Sequence, residues 1–290
     1  VERNPDYWKK GLPYLDKIEA HIVPNRATRM LGLVSGKYDI SFPTDITMRL
    51  MEDLKAQVPT AQCKMRSIGT SNLIVNRAAP PFDNPDIRTA LGLTLDRNEF
   101  NRIMNETEVG IGTNILAPPD GVWGMPPEEL AKMTGYGPDI KERREKAREL
   151  MKKAGYGPDK RLAIKVSTRN IPGYRDAATI LLGQLKEIWI DGELELVETA
   201  IWQPKLIRRE YQMGLSLVGN GVDDPDQQFY ESYVCGSRTY MGYCDKAIDA
   251  LVDKQSMEPD QEKRRQIVWE IDRKLQQDAV RPMLYFIKGH

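Results

Sequence analysis

Histidine is nearly absent from this 290-residue chain: His21 lies in a segment that alternates like a strand, and His290 is the last residue. That scarcity removes the usual base from a Ser-His-Asp or Cys-His arrangement and leaves few nitrogen ligands for a metal. Phosphate-binding loops are missing as well. No G-x-x-x-x-G-K-[ST] or G-x-G-x-x-G follows a strand pattern, and Gly110-Ile111-Gly112 is too short a match to count. No catalytic group, no metal and no cofactor is therefore expected.

Charge of one sign is not in excess either. Lys plus Arg and Asp plus Glu both number 42, giving a formal charge of zero, which argues against a nucleic-acid or anionic-membrane partner. No run approaches the ~18 uninterrupted apolar residues of a spanning helix. Val1-Glu2-Arg3-Asn4 has no initiating Met and none of the charged and apolar regions of a secretion signal. A signal is expected either to have been removed or to lie upstream of a chain that begins partway through a longer protein. Cysteines number three, too few for a cysteine-dense scaffold. Cys235 and Cys244 flank Gly236-Ser237-Arg238, a plausible turn, while Cys63 is remote. The spacing is wrong for C-x-x-C chemistry and by itself leaves both a bridge and two free thiols open.

What is present reads as α/β. Leu15 to Val23 alternates as a half-buried strand, Arg26 to Leu33 reads as a short helix, and Tyr38 to Phe42 as a strand. Ser71 to Asn76 is a further extended run. Asp83-Asn84-Pro85 supplies a cap and an early-turn proline for a helix that would bury Ile87, Ala90, Leu91 and Leu95. Gly110 to Pro127 is a long irregular stretch rich in Gly and Pro, and loops of that length are usually functional or well packed. Beyond it, helices expected at Asp139 to Ala154, Asp176 to Trp189, Asp245 to Lys254 and Asp260 to Gln277 interleave with strands around Leu162 to Val166, Leu194 to Leu196, Leu215 to Leu217 and Arg281 to Ile287. A chain of this length implies one very large domain or two lobes.

The cluster Asp223-Asp224-Pro225-Asp226 invites a hydrolase or calcium reading. Paired glycosidase carboxylates come from different elements across a cleft, so neighbours on one loop do not make such a pair. An Asp-capped turn is the plainer explanation, with a ligand-contacting loop as the alternative.

Several blocks together resemble the extracytoplasmic solute-binding proteins of the oligopeptide, dipeptide and nickel type, family 5, which serve ATP-driven (ABC) importers. They are Asn4-Pro5-Asp6-Tyr7-Trp8, Pro13-Tyr14-Leu15-Asp16-Lys17-Ile18, Gly36-Lys37-Tyr38-Asp39-Ile40, Pro80-Pro81-Phe82-Asp83-Asn84-Pro85 running on to Leu95-Asp96-Arg97, Lys146 to Tyr156, Gly242-Tyr243-Cys244, and Leu275 to Tyr285. The resemblance implies a lobe like that of a type II periplasmic binding protein, a mixed sheet flanked by helices, with a partial first lobe. Residues 1–70 would be the remnant of lobe one, 71–281 lobe two and 282–290 the returning hinge segment, so that the chain is expected to be a fragment. The resemblance also implies a disulfide between Cys235 and Cys244.

The implied function is non-enzymatic: capture of a small solute for delivery to an ABC permease, by a protein expected to be a monomer and to be periplasmic, or extracellular and membrane-tethered in a Gram-positive source. A solute-sensing receptor without transport is the alternative, and a carbohydrate-active enzyme a remoter one. Peptide-binding members resemble one another in an Asp four residues before the Pro of the acidic turn, which here is Gly221, and in an Arg six residues earlier, which here is Leu215. Those departures point toward a non-peptide or atypical peptide solute. Candidate contacts are Asn220, Gly221, Val222 and Asp223 in the acidic loop, Arg169 as a bidentate grip on a carboxylate or phosphate, and Trp202 as a stacking surface.

Overall fold

The computed structural model describes residues 1–23, 25–41, 48–104, 111–219, 221–237 and 240–289. The chain divides into two compact units, Val1–Cys63 and Lys64–His290.

The first unit holds two helices, α1 (Arg26–Val34) and α2 (Met48–Gln57). Asn25 caps α1 by accepting the Thr28 amide proton at 3.0 Å. The N-terminal stretch folds back on itself through Arg3 N–H to Asp16 O and Ile18 N–H to Val1 O, both 2.8 Å. The strands expected at 15–23 and 38–42 do not form over the described residues; Phe42 itself lies outside them. An extended segment becomes a strand only when a neighbour takes its N–H and C=O groups. Among the described residues this stretch finds only the isolated bridge Glu2–Lys17. Its apolar groups stay uncovered, with Ile22 96% and Ile40 84% exposed, and Leu54 is the one described large apolar side chain of the unit in the buried class.

The second unit runs β1 (Arg66–Val75), α3 (Pro85–Thr94), α4 (Arg97–Met104), α5 (Pro127–Leu130), α6 (Ile140–Lys153), β2 (Leu162–Arg169), α7 (Pro172–Lys186), β3 (Ile190–Val197), α8 (Thr199–Ile207), β4 (Met213–Gly219), α9 (Pro225–Ser232), α10 (Lys246–Ser256), α11 (Gln261–Gln277) and β5 (Met283–Gly289). Asp or Asn side chains cap α3, α6, α9, α10 and α11. Each such cap satisfies amides that the helix itself cannot, which stabilises it by ~1 kcal/mol. α7 begins at Pro172, four residues before the Asp176 that the pattern suggests, because a proline at the first turn needs no amide partner.

The strands form one mixed sheet in the order β3-β2-β4-β1-β5. β2 is parallel to β3 and β4, whereas β1 is antiparallel to both β4 and β5. Alternation along β1 sends Leu73 and Val75 into one core and Ile74 into the other. The first core packs α3, α6 and α7 against Val166, Met213 and Leu215. The second gathers Trp202, Leu206, Phe229, Tyr233, Val252, Val268, Ile271 and Leu275. With both faces covered, the functional surface of this unit is left to the loops at the sheet's ends.

Candidate functional site

Solutes of open α/β sheets bind beyond the carboxyl ends of the parallel strands, where loops and helix N-termini converge. Here β2 ends at Arg169, β3 at Val197 and β4 at Gly219. The antiparallel pairing brings Gly69 of β1 opposite Gly219, at the same end. A Cβ on Gly69 would lie 2.3 Å from Val218 O, so only glycine permits that approach.

β4 leads into the acidic loop. Asp224 caps α9 by accepting the Asp226 amide proton at 2.9 Å, and it takes two hydrogen bonds from Arg264 at 2.7 and 3.1 Å. Burial draws the Asp224 carboxyl upward, but the Arg264 and Asp226 donors outweigh it and hold it below its ordinary range. Asp226 lies 3.4 Å from Arg264 and accepts from Ser256 Oγ at 2.7 Å. Two of the three acids are thus engaged in holding the loop on α10 and α11.

Asp223 differs. Its Oδ2 accepts the Val122 amide proton at 2.9 Å and its carbonyl accepts from Trp123 Nε1 at 2.9 Å. No cation pairs with it among the described residues, and burial followed by the Asp224 charge pushes its carboxyl up despite the Val122 bond. Gly121 allows the contact: a Cβ there would meet Asp223 Oδ1 at 2.7 Å. Within the irregular stretch, residues 121–123 therefore form a clasp under the acidic loop, fixed further by Arg265 Nε to Val122 O at 3.1 Å and Trp269 Nε1 to Trp123 O at 2.8 Å. Trp123, Arg264 and Arg265 are contributors that the sequence does not single out, since their partners lie at least 40 residues away.

Arg169 is half-buried at the end of β2. It donates to Tyr174 Oη at 3.1 Å and Thr199 Oγ1 at 3.5 Å, and its guanidinium carbon lies 5.1 Å from the centre of the Tyr174 ring. These partners are neutral, and among the described residues no carboxylate pairs with it. The starts of α7 and α8 flank it, neither with a side-chain cap. Val222 is 63% exposed beside Asp223, and the Gly221 amide donates to Gln227 Oε1 at 3.0 Å. Asn220 lies outside the described residues.

Two sequence readings change. Trp202 is only 4% exposed, packed in the second core with its ring against Gly214, so the indole serves packing and offers no open face for stacking. Leu215 is fully buried in the first core among Leu73 and Met213. Its side chain packs inside the sheet.

Cys235 and Cys244 form a disulfide, with the Cys235 amide held by Asp249 Oδ1 at 2.9 Å; Cys63 is not bonded. Among the described residues no cluster of His, Cys, Asp or Glu could hold a metal ion, and no helix is long and apolar enough to cross a membrane.

Comparison with known proteins places this geometry. Residues 1–240 match the family model described as bacterial extracellular solute-binding proteins, family 5 Middle. The di/tripeptide-binding protein 2 of Pseudomonas aeruginosa (strain UCBPP-PA14) is 26% identical over 281 residues, 90% of this chain and 48% of that protein. In fold, the chain is similar to the ABC transporter-associated periplasmic binding protein DppA of Helicobacter pylori in complex with peptide STSA, at TM-score 0.79 and 23% identity, covering 99% of this chain and 54% of that one. It is similar at the same TM-score, 0.79, and 22% identity to the binding protein AgaA of A. tumefaciens R10 in complex with agropinic acid, covering 100% of this chain and 57% of that one. The chain spans about half the length of the relatives it matches. With the match running through most of its length, the chain belongs to family 5 of the bacterial extracellular solute-binding proteins.

Proposed function

We propose that this chain is part of the solute-binding component of an ABC importer, which captures a small solute by closure of two lobes and passes it to a membrane permease. Within that protein, residues 1–70 would belong to lobe one, 71–281 to lobe two and 282–290 to the returning hinge. The work is binding without turnover, and the location is the periplasm, by analogy with the DppA relative's description. A monomer suffices for it.

The observation that carries the reading is a pair of unspent charges at the carboxyl end of the sheet. Among the described residues Arg169 meets the hydroxyls of Tyr174 and Thr199 and the Tyr174 ring, and the Asp223 carboxylate meets the Val122 amide, neither with an opposite charge, while Asp224 and Asp120 at the same end are matched by Arg264 and Lys288. A solute bearing both an ammonium and a carboxylate complements that pattern, and short peptides are the simplest such class. The preference for a non-peptide solute loses its footing, because Leu215 is a core residue and the P. aeruginosa relative is named for di- and tripeptides. The fold alone leaves the class open, since one neighbour carries a peptide and another agropinic acid.

Calorimetry on the complete gene product tests this with a dipeptide, its N-acetyl form and its C-terminal amide. Each blocked form is expected to bind at least about tenfold more weakly, the equivalent of ~1.4 kcal/mol. Asp223→Asn should remove the N-acetyl penalty and Arg169→Gln the amide penalty. Equal binding of all three forms, or binding of a neutral sugar in place of any peptide, overturns the proposal.

A further inference from the structure

The opposite end of the sheet holds a second concentration of positive charge. A pocket of about 130 Å³ opens there, lined by Asp96, Arg97, Asn98, Gly135, Tyr136 and Arg143 among others. Arg97, at the start of α4, is 3% exposed. Its Nε donates to Met283 O at 2.9 Å and its Nη1 to Gly135 O at 2.7 Å, and its guanidinium carbon lies 3.9 Å from the centre of the Tyr136 ring. Arg143 reaches in from α6 and donates Nη1 to Leu93 O at 3.1 Å, Leu95 O at 2.9 Å and Gly135 O at 2.8 Å.

Two guanidiniums therefore converge on one neutral oxygen, the Gly135 carbonyl. Gly135 has φ +83°, and a Cβ there would meet Gly92 O at 2.6 Å, so the turn that presents this carbonyl requires glycine. Neither arginine has a carboxylate within ion-pair reach among the described residues. Asp96, which lines the pocket and accepts the Glu99 amide proton at 3.1 Å, and Asp139, which accepts those of Lys141 and Glu142 at 2.9 and 3.1 Å, act on the arginines only through space. Carbonyl dipoles satisfy hydrogen-bonding capacity without cancelling charge, so two guanidiniums face one nearby carboxylate, Asp96, and the pocket keeps a positive excess. Consistently, Arg143 is pushed down to about 10, first by burial and then by the Arg97 charge.

We propose that this pocket binds one small oxyanion, a phosphate, sulfate or carboxylate, between Arg97 and Arg143. The pocket admits one such ion, and planar guanidiniums suit its oxygens. Bound there, the anion would tie together the start of α4, the 135–138 turn and the start of α6. It is independent of the proposed solute end, from which the length of β5 separates it.

The test is isothermal titration of the chain with sodium phosphate, sulfate and acetate at constant ionic strength, beside thermal melting in the same salts. One saturable site is expected, and a saturating anion should raise Tm by about 2–4 °C over sodium chloride of equal ionic strength. Preference for phosphate and sulfate over acetate would identify a tetrahedral ion, the reverse a carboxylate. Arg143→Gln is expected to weaken binding at least tenfold. Because that change also strips the α3 carbonyls of a donor, Asn98→Glu is the second variant: it keeps both arginines, adds a second carboxylate beside Asp96 at the pocket and should weaken binding at least tenfold in a folded chain. Absence of saturable binding with all three anions, undiminished binding in both variants, or an equal Tm rise in chloride overturns the proposal.

Discussion

Arg264 of α11 grips both carboxylate oxygens of Asp224, at 2.7 and 3.1 Å, while its guanidinium carbon lies 4.7 Å from the centre of the Trp123 ring. One side chain thus joins the cap of α9, the acidic loop and the clasp beneath it. Arg264→Leu should cost about 1–3 kcal/mol in urea denaturation, from a lost charge-assisted pair and a lost cation–π contact. Asp224→Asn keeps a capping oxygen and should cost less. Equal costs for the two variants would assign the effect to the ion pair alone and leave the Trp123 contact without weight.

The second core contains a carboxyl with no cationic partner in contact among the described residues. Asp272 is 3% exposed and accepts from Thr113 Oγ1 and, at 3.3 Å, from Gln276 Nε2; the neighbouring Arg273 turns to Glu129 at 3.3 Å. Burial pushes Asp272 up to about 6, with the hydrogen bonds and Arg273 pulling the other way. A raised folded-state value means that the folded chain holds this proton where the unfolded chain gives it up. The contribution is therefore complete at acid pH and is lost as pH rises from about 4 to about 6. Asp272→Asn should flatten stability across that window and gain on the order of 2 kcal/mol at pH 7.5, read from denaturation midpoints at pH 4.5 and 7.5.

The disulfide closes a short loop just before α10, between residues nine apart. In the chain-entropy account, removing it by Cys235→Ser with Cys244→Ser should lower stability by roughly 2.5–3 kcal/mol. Reduction should produce the same loss in the parent chain and none in the double variant. Alkylation followed by mass spectrometry should label only Cys63 before reduction.

Leu215 offers a direct check on the solute argument. Leu215→Ala should cost about 2–5 kcal/mol as a buried truncation. Leu215→Arg should prevent folding outright, since it buries a charge against Leu73 and Met213. A folded Leu215→Arg chain with strengthened peptide binding would return this position to the solute site.

Legibility in the sequence followed the range of the forces involved. Asn84, Asp139, Asp245 and Asp260 mark helix starts because a cap acts within a few residues of itself. The runs at 15–23 and 38–42 alternate like strands but form none over the described residues, because alternation states a preference that pairing must complete. Arg169 and Asp223 were nameable from their places after strand patterns. Their lack of opposite charges was not, since that depends on which of the many charged groups fold near them.

The sequence by itself determined the α/β class, the family through ordered blocks spread along the chain, and the scarcity of catalytic groups, because composition, local periodicity and motif order need no coordinates. Tertiary structure alone decided that Trp202 and Leu215 are core residues, that the Gly121–Trp123 clasp holds Asp223, and that Arg97 and Arg143 share the Gly135 carbonyl. Burial and charge pairing are properties of neighbours in space, and most of those neighbours, such as Arg97 for Gly135 and Trp123 for Asp223, lie tens of residues away along the chain.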